Sequence, residues 1–323
     1  MADSPSLKYN AALLRSFLAK CKVYSRYPRV SEQAQCLPLD IAKLPAHAYN
    51  PSIIRHHDKL WMTYRYHSGD RTTKIGIAEI SPTGDVVSTQ DLALGETSCE
   101  DARLFSLHGE PWMSWVEAKW DEGFVNPLCV VKYTRLDKGQ DWKTTRIYQP
   151  KVDRNDWSWM HKNWCFFESD ENLYCINRSW PQQTIFQIQG ETVIQEHNPP
   201  GICWPYGEIR GDNIIPYEGK FLRVFHSATD KGIGRIEHRY YIGACLLESK
   251  PPFNVLAVSK KPILYGSEID MFKSAERKAC FHWKANVVFS CGLMLDEDHF
   301  IISVGINDAA CAMVRISKDK LNL

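Results

Sequence analysis

One hairpin recurs five times along the chain, and it constrains the fold more than any other feature. The five copies read NPSIIRHHDKLWMTYRYH from Asn50, EDARLFSLHGEPWMSWVEA from Glu100, KNWCFFESDENLYCINRSW from Lys162, RGDNIIPYEGKFLRVFHS from Arg210 and VVFSCGLMLDEDHFIISVGIND from Val287. Each is an apolar run, a short polar reversal and a second run rich in aromatic or β-branched residues, the pattern of two paired strands. The reversals fall on His57-Asp58, His108-Gly109, Asp170-Glu171-Asn172, Glu218-Gly219 and Glu297-Asp298, residue types that tolerate tight turns.

Further strand-like runs follow the hairpins: Lys74–Ser81, Pro127–Thr134, Thr184–Ile188 and Tyr240–Glu248. A four-stranded unit repeating about every 50 residues is the sequence signature of a propeller blade. The expected fold is therefore all-β, a five-bladed β-propeller over residues 31–323. A two-sheet sandwich is the competing all-β arrangement, but it does not predict five similar hairpins. Residues 1–30 are expected to form a helical extension, because Leu13, Leu14, Phe17 and Leu18 share one side of a helical stretch from Leu7 to Cys21. A second short helix is expected near Glu268–Lys278.

A hairpin returns its chain to the mouth from which it left. The first strands begin with Asn50, Asp101, Lys162 with Asn163, and Arg210, and the second strands end with Arg65, Glu117, Arg178, His226 and Asp308. Cations and carboxylates at matched places in most blades imply one shared polar site at one end of the central channel.

The bulk composition removes several functional classes. A formal net charge of +1 argues against a nucleic-acid partner bound by phosphate neutralisation. No run of 18 apolar residues is present, so no membrane span or membrane partner is expected. The 11 cysteines include no Cys-x-x-Cys pair and no Cys/His set at zinc spacing. Cys129, Cys165, Cys175, Cys245 and Cys291 lie in apolar runs and read as small buried hydrophobes in a reducing compartment. Met1–Lys22 shows no secretory signal pattern, and a cytoplasmic location is the expectation. There is no phosphate-cradling Gly-rich loop, no dinucleotide fingerprint and no Gly-x-Ser-x-Gly elbow. No metal is expected, since His56-His57 sits in a turn.

The same hairpins resemble glycoside hydrolase family 130, the β-mannoside phosphorylases and related β-1,2-mannosyltransferases, over about residues 45–315. Glu100-Asp101-Ala102-Arg103 is similar to that family's Glu-Asp-Pro-Arg motif. Lys162-Asn163-Trp164 with Arg178 resembles a lysine–arginine pair of the third blade, and Phe225-His226 a Tyr-His pair in the fourth. Tyr240–Leu247 resembles Tyr-x-x-Gly-Ala-x-Leu-Leu, and Val304-Gly305-Ile306-Asn307-Asp308 a closing Tyr-Gly-x-x-Asp. Ala102 stands where the family usually has proline. Asp212 stands where related sequences often have a small residue.

The resemblance implies an inverting carbohydrate-active enzyme that breaks or makes β-mannosidic bonds with phosphate or mannose 1-phosphate. Asp101 would be the general acid, acting through a sugar hydroxyl. Asn50, Arg65, Lys162, Asn163 and Asp308 would bind sugar, and Arg178, Arg210, His226 and Tyr241 would bind phosphate, with Tyr240 an equal candidate to Tyr241. Phosphate as attacking group needs a cationic cradle and no general base. No cofactor is then expected beyond inorganic phosphate as co-substrate, and the partner is a small-molecule or oligosaccharide substrate. Homo-oligomerisation is compatible with the sequence. An inverting hydrolase would need a second carboxylate to activate water, for which Glu117 and Asp308 are available. A non-catalytic glycan-binding propeller is the alternative from a different class. Most of the 11 tryptophans are expected in the core, with one or two stacking on sugar.

Overall fold

A computed structural model describes residues 34–37, 39, 41–45, 48–68, 72–119, 128–152, 162–179, 182–229, 240–265, 287–308, 310–321 and 323. The expected helices at residues 1–30 and 268–278 lie outside the described residues, as do Trp120, Trp157, Trp159, Trp180 and Trp283. Among the described residues there is no α-helix, and no helix long and apolar enough to cross a membrane.

Strand β1 (Ala34–Leu37) precedes the first blade, β2 (Tyr49–His56), β3 (Lys59–His67), β4 (Thr73–Ile80) and β5 (Val86–Asp91). The second blade is β6 (Ser98–Leu107), β7 (Glu110–Lys119), β8 (Leu128–Lys138) and β9 (Trp142–Tyr148). The third is β10 (Cys165–Ser169), β11 (Asn172–Arg178), β12 (Thr184–Gln189) and β13 (Thr192–His197). The fourth is β14 (Glu208–Tyr217), β15 (Lys220–Ala228), β16 (Tyr240–Leu247) and β17 (Val255–Val258), with β18 (Leu264–Tyr265) also pairing β16. The fifth contains β19 (Val288–Asp296), β20 (His299–Ile306) and β21 (Ala310–Ser317). Its outer strand is β1, which pairs antiparallel with β21.

Each blade is thus an antiparallel meander in its own sheet, and the five separate sheets rule out the sandwich. The turns explain why these segments reverse where they do. Positive φ at both His57 and Asp58, His108 and Gly109, Asp170 and Glu171, and Glu218 and Gly219 is the backbone of two-residue type I′ hairpins. That turn matches the right-handed twist of the flanking strands, so the meander needs no longer loop.

A blade buries both faces, so apolar residues gather in the seams between blades. Trp61, Ile75 and Ile77 of blade 1 pack on Leu104, Trp115 and Trp142 of blade 2. Val116 and Tyr133 of blade 2 meet Trp164, Phe166 and Phe186 of blade 3. Equivalent clusters fill the seams of blades 3 and 4, 4 and 5, and 5 and 1. Trp61, Trp115, Trp142 and Trp164 are all buried there, as expected for tryptophan in the core. The five cysteines expected to be buried are buried, while Cys203 is exposed.

The first strands of the five blades surround the axis. One half of the channel is a cavity of about 350 Å³ walled by residues such as Ile54, Phe105, Phe167, Ile215 and Met294, one from each blade. The other half is polar.

Candidate active site

The inner strands are irregular at one shared level. Their ladders to the second strand skip between Tyr49 and Ser52, Glu100 and Arg103, Arg210 and Asp212, and Ser290 and Gly292. Such bulges re-aim side chains and cluster near functional sites. In three of these blades the bulge sets one residue in the left-handed region, Asn50 (φ 50°), Asp101 (φ 52°) and Gly211 (φ 63°), and in blade 3 Asn163 (φ 65°), just ahead of β10, takes the same backbone. Asn, Asp and Gly are the types that accept this backbone at low cost. The bulge therefore selects the same short polar side chains that a sugar site would use.

Counting from the regular pairs Ser52–Thr63, Arg103–Ser114, Cys165–Ile176, Asn213–Val224 and Gly292–Ser303 aligns the blades. One ring of first-strand positions holds Tyr49, Glu100, Lys162, Arg210 and Phe289. The next holds Asn50, Asp101, Asn163, Gly211 and Ser290. The matching second-strand position holds Arg65, Val116, Arg178, His226 and Gly305. Three of these second-strand residues are turned toward the next blade: Arg65 meets Glu100 and Asp101, the His226 ring lies 4.1 Å from Phe289, and Gly305 lies against Asn50.

Asp101 sits in the centre of a network. Its Oδ1 accepts from Asn50 Nδ2 at 2.8 Å and from Arg65 Nη1 at 3.3 Å. Its Oδ2 has no protein partner among the described residues. Arg65 Nη2 is 2.9 Å from Glu100 Oε1, and Lys162 Nζ donates to Glu100 Oε2 at 2.9 Å. Burial is the largest single effect and works against the charge on Arg65 and Lys162, but Glu100 and the neighbouring acidic groups together outweigh it, and both pKa values are raised. Arg65 also lies over the Tyr49 ring, 5.1 Å from its centroid. Burial is the largest of the effects that raise the Tyr49 phenol, which stays protonated. Asp308 (φ 53°) follows Asn307, whose backbone and side chain bracket Val287, and its charge is felt at Tyr49 and Arg65.

Arg103 reaches across the axis under this group. Its Nη2 donates to Asn163 Oδ1 at 3.2 Å and its Nη1 to the Ser290 carbonyl at 3.1 Å, and it stacks on Phe289. With Asn163 Oδ1 so engaged, the Asn163 amide NH₂ is left to donate elsewhere. His226 is fully buried, and burial first, then Arg103 and Arg210, hold its pKa well below the usual imidazole range. It is therefore neutral, with Tyr240 stacked at 5.8 Å.

Not every residue expected at the mouth joins the network. Tyr241 is buried in the seam of blades 3 and 4 beside Tyr206, and it is Tyr240 that lies against His226. Arg210 is held by Glu208 at 2.8 Å. Arg178 is exposed and makes no hydrogen bond or ion pair among the described residues. Glu117 is one residue past the aligned position, so strand alternation turns it to the other face, where it bonds Lys132. Glu100 and Arg103 carry much of the network, yet only their place in the Glu100–Arg103 run signals them in the sequence.

No protein-family model matches the chain, and no curated protein matches it by sequence. Solved structures do match its shape. A β-1,2-mannobiose phosphorylase from Listeria innocua, in complex with β-1,2-mannobiose, superposes with a TM-score of 0.59 at 15% identity, over 90% of this chain and 92% of that one. A mannose phosphorylase from Leishmania mexicana, in complex with a phosphate ion, gives 0.57 at 14% identity, over 84% of each chain. The chain has the fold of the mannoside phosphorylases of glycoside hydrolase family 130. A further structure from that family, described as containing glycoside hydrolases that target β-1,2-mannosidic linkages in Candida mannan, gives 0.57 at 13% identity over 85% of each chain.

Proposed function

We propose that the protein is an inverting glycoside phosphorylase acting on β-mannosidic bonds, or running the reverse synthesis. The observation that carries this reading is the contrast between two seams. Between blades 1 and 2, Arg65 meets a resident anion, Glu100. At the aligned positions of blades 3 and 4 stand Arg178 and Arg210, a second cation in place of the carboxylate, with Arg210 paired to Glu208 of its own strand at 2.8 Å. With Arg210 released from Glu208, the two guanidinium groups would form a cradle suited to an anion from solution, and phosphate fits their fork geometry. Asp101 stands one blade away with one oxygen fixed and the other without a partner among the described residues, the arrangement wanted of a general acid.

In this reading a phosphate oxygen attacks the anomeric carbon from the face opposite the leaving sugar. The C–O bond to the leaving sugar breaks, and its oxygen takes a proton originating from Asp101. The products are an inverted mannose 1-phosphate and a free acceptor sugar. Asn50, Arg65, Asn163 and Asp308 hold hydroxyls, and neutral His226 contributes a hydrogen bond rather than a charge. Glu117 is engaged by Lys132, which disfavours a water-activating role. The test is incubation of the purified protein with β-1,2-mannobiose, with and without inorganic phosphate. Phosphate-dependent mannose 1-phosphate, lost in Asp101→Asn, is expected. Phosphate-independent free mannose would replace this reading by hydrolysis. Binding without turnover would make the protein a glycan-binding propeller.

A further inference from the structure

Two asparagines occupy matched places around the mouth, and their neighbours set their amides in opposite senses. Asn50 gives its Nδ2 to the Asp101 carboxylate at 2.8 Å. Asn163 turns its Oδ1 to Arg103, whose Nη2 donates at 3.2 Å. An amide has one accepting end and one donating end, whereas a guanidinium only donates. The end of Asn163 that faces Arg103 is therefore its oxygen, and the NH₂ end is turned away. That NH₂ makes no hydrogen bond among the described residues, and Asn163 is only half-buried. Arg103 is itself held in one direction. It is 4% exposed and reaches from blade 2 to blade 5, with Nη1 on the Ser290 carbonyl at 3.1 Å and the guanidinium 5.2 Å from the centre of the Phe289 ring. Gly211 of blade 4 leaves the room for this, since a Cβ there would lie 2.6 Å from Arg103 Nη2 and 2.8 Å from Asn163 Cβ. Arg103 also lines the apolar cavity, so it stands at the boundary between the two halves of the channel.

A buried guanidinium is weak support for stability, because desolvation offsets much of what its hydrogen bonds return. A planar fork held on two blades is well suited to fixing an orientation. We propose that Arg103 is a positioning residue that makes Asn163 a hydrogen-bond donor at the mouth, so that the third blade recognises an accepting oxygen of the substrate. This rests on the reading of Asn163 as a substrate-binding residue. Without Arg103 nothing distinguishes the two ends of the amide, and the oxygen would face the mouth as readily as the NH₂. A sugar hydroxyl and a phosphate oxygen both accept, and separate Michaelis constants tell them apart. Asn163→Asp is the sharpest probe of polarity. It keeps the shape and an oxygen for Arg103, but puts a second acceptor where the NH₂ was. Aspartate also tolerates the left-handed backbone that Asn163 adopts.

The test compares the parent, Arg103→Met, Arg103→Lys and Asn163→Asp. One readout is the ¹H–¹⁵N spectrum of the side-chain amides in asparagine-labelled protein, with the Asn163 pair assigned by its loss in Asn163→Asp. The others are kcat and the KM values for β-1,2-mannobiose and for inorganic phosphate. Asn163→Asp should raise one KM by about tenfold or more at an unchanged melting temperature, the size expected when a lost donor leaves its partner unsatisfied. A rise for mannobiose makes the recognised oxygen a sugar hydroxyl, and a rise for phosphate makes it a phosphate oxygen. Arg103→Met should shift the Asn163 amide pair and raise the same KM. Arg103→Lys, whose ammonium also only donates, should bring both back toward the parent. An Asn163 pair unmoved in Arg103→Met would overturn the proposal, and so would parent KM values in Asn163→Asp. Should Arg103→Met fail to fold, the other two variants decide: a KM raised further by Arg103→Lys than by Asn163→Asp would overturn it, because Arg103 would then act other than through Asn163. If the parent turns over no mannoside, the functional reading fails, and the amide spectra alone judge the role of Arg103.

Discussion

Gly211→Ala tests whether the bulge ring is as tightly fitted as the distances say. Gly211 has φ 63°, and a Cβ there would lie 2.6 Å from Arg103 Nη2, 2.7 Å from His226 Cε1 and 2.8 Å from Asn163 Cβ. The Arg103 end is the only flexible neighbour, and it is tethered by Asn163 and the Ser290 carbonyl. The left-handed backbone alone costs alanine about 1–2 kcal/mol. Forcing a methyl into a filled space adds about 1–3 kcal/mol. Gly219→Ala is the control, since Gly219 has φ 71° with nothing within 4 Å of an added Cβ. Urea denaturation of parent and both variants, analysed at a common m value, separates the two contributions. Gly211→Ala should lose about 2–5 kcal/mol and Gly219→Ala only about 1–2 kcal/mol. Gly211→Ala should also lower turnover, because the methyl displaces Arg103 from Asn163. Equal losses in the two variants would refute the packing of Arg103, His226 and Asn163 around this glycine.

The other expectations concern charge and core. His226 is buried neutral, so unfolding below its ordinary pKa takes up a proton; its contribution is complete above pH about 6.5 and is lost as pH falls below it, by up to about 1.4 kcal/mol per pH unit. His226→Phe should flatten the acid side of the stability–pH curve relative to the parent, as read by urea midpoints from pH 7 to 4.5. Arg178→Met and Arg210→Met should each weaken phosphate, measured as a rise in its KM of about tenfold or more, with the KM for β-1,2-mannobiose less affected. Trp115→Ala, which empties the centre of the seam of blades 1 and 2, should cost about 3–5 kcal/mol in chemical denaturation.

The blade count and the turns were legible because each reports on local backbone chemistry. His57-Asp58, His108-Gly109 and Glu218-Gly219 can sit at a two-residue reversal whatever surrounds them. The buried cysteines were legible from their apolar runs. The phase of the second strands was not. Glu117 stands one residue beyond Val116, which the ladder sets level with Arg65, and its charge suggests the mouth although its strand position turns it away. Glu100 and Arg103 were hidden for a related reason. A residue beside a motif looks like an ordinary strand position until the backbone that re-aims it is known. Tyr240 and Tyr241 differ only in which face each takes, and the register with Ser227 and Ala228 decides that.

The pairing of β1 with β21 gives the ring no covalent lock. An early strand of the chain must wait for a late one before blade 5 has its fourth strand. The same closure joins the last blade to the first, through the apolar seam between blades 5 and 1 and the approach of Gly305 to Asn50. Asn50 is one of the two groups that hold Asp101. The alignment of the mouth therefore depends on contacts between segments far apart in the chain, and a chain with only four blades would present the cations and carboxylates without them. Closure and competence arrive together, so turnover regained after dilution from urea would report when the circle shuts.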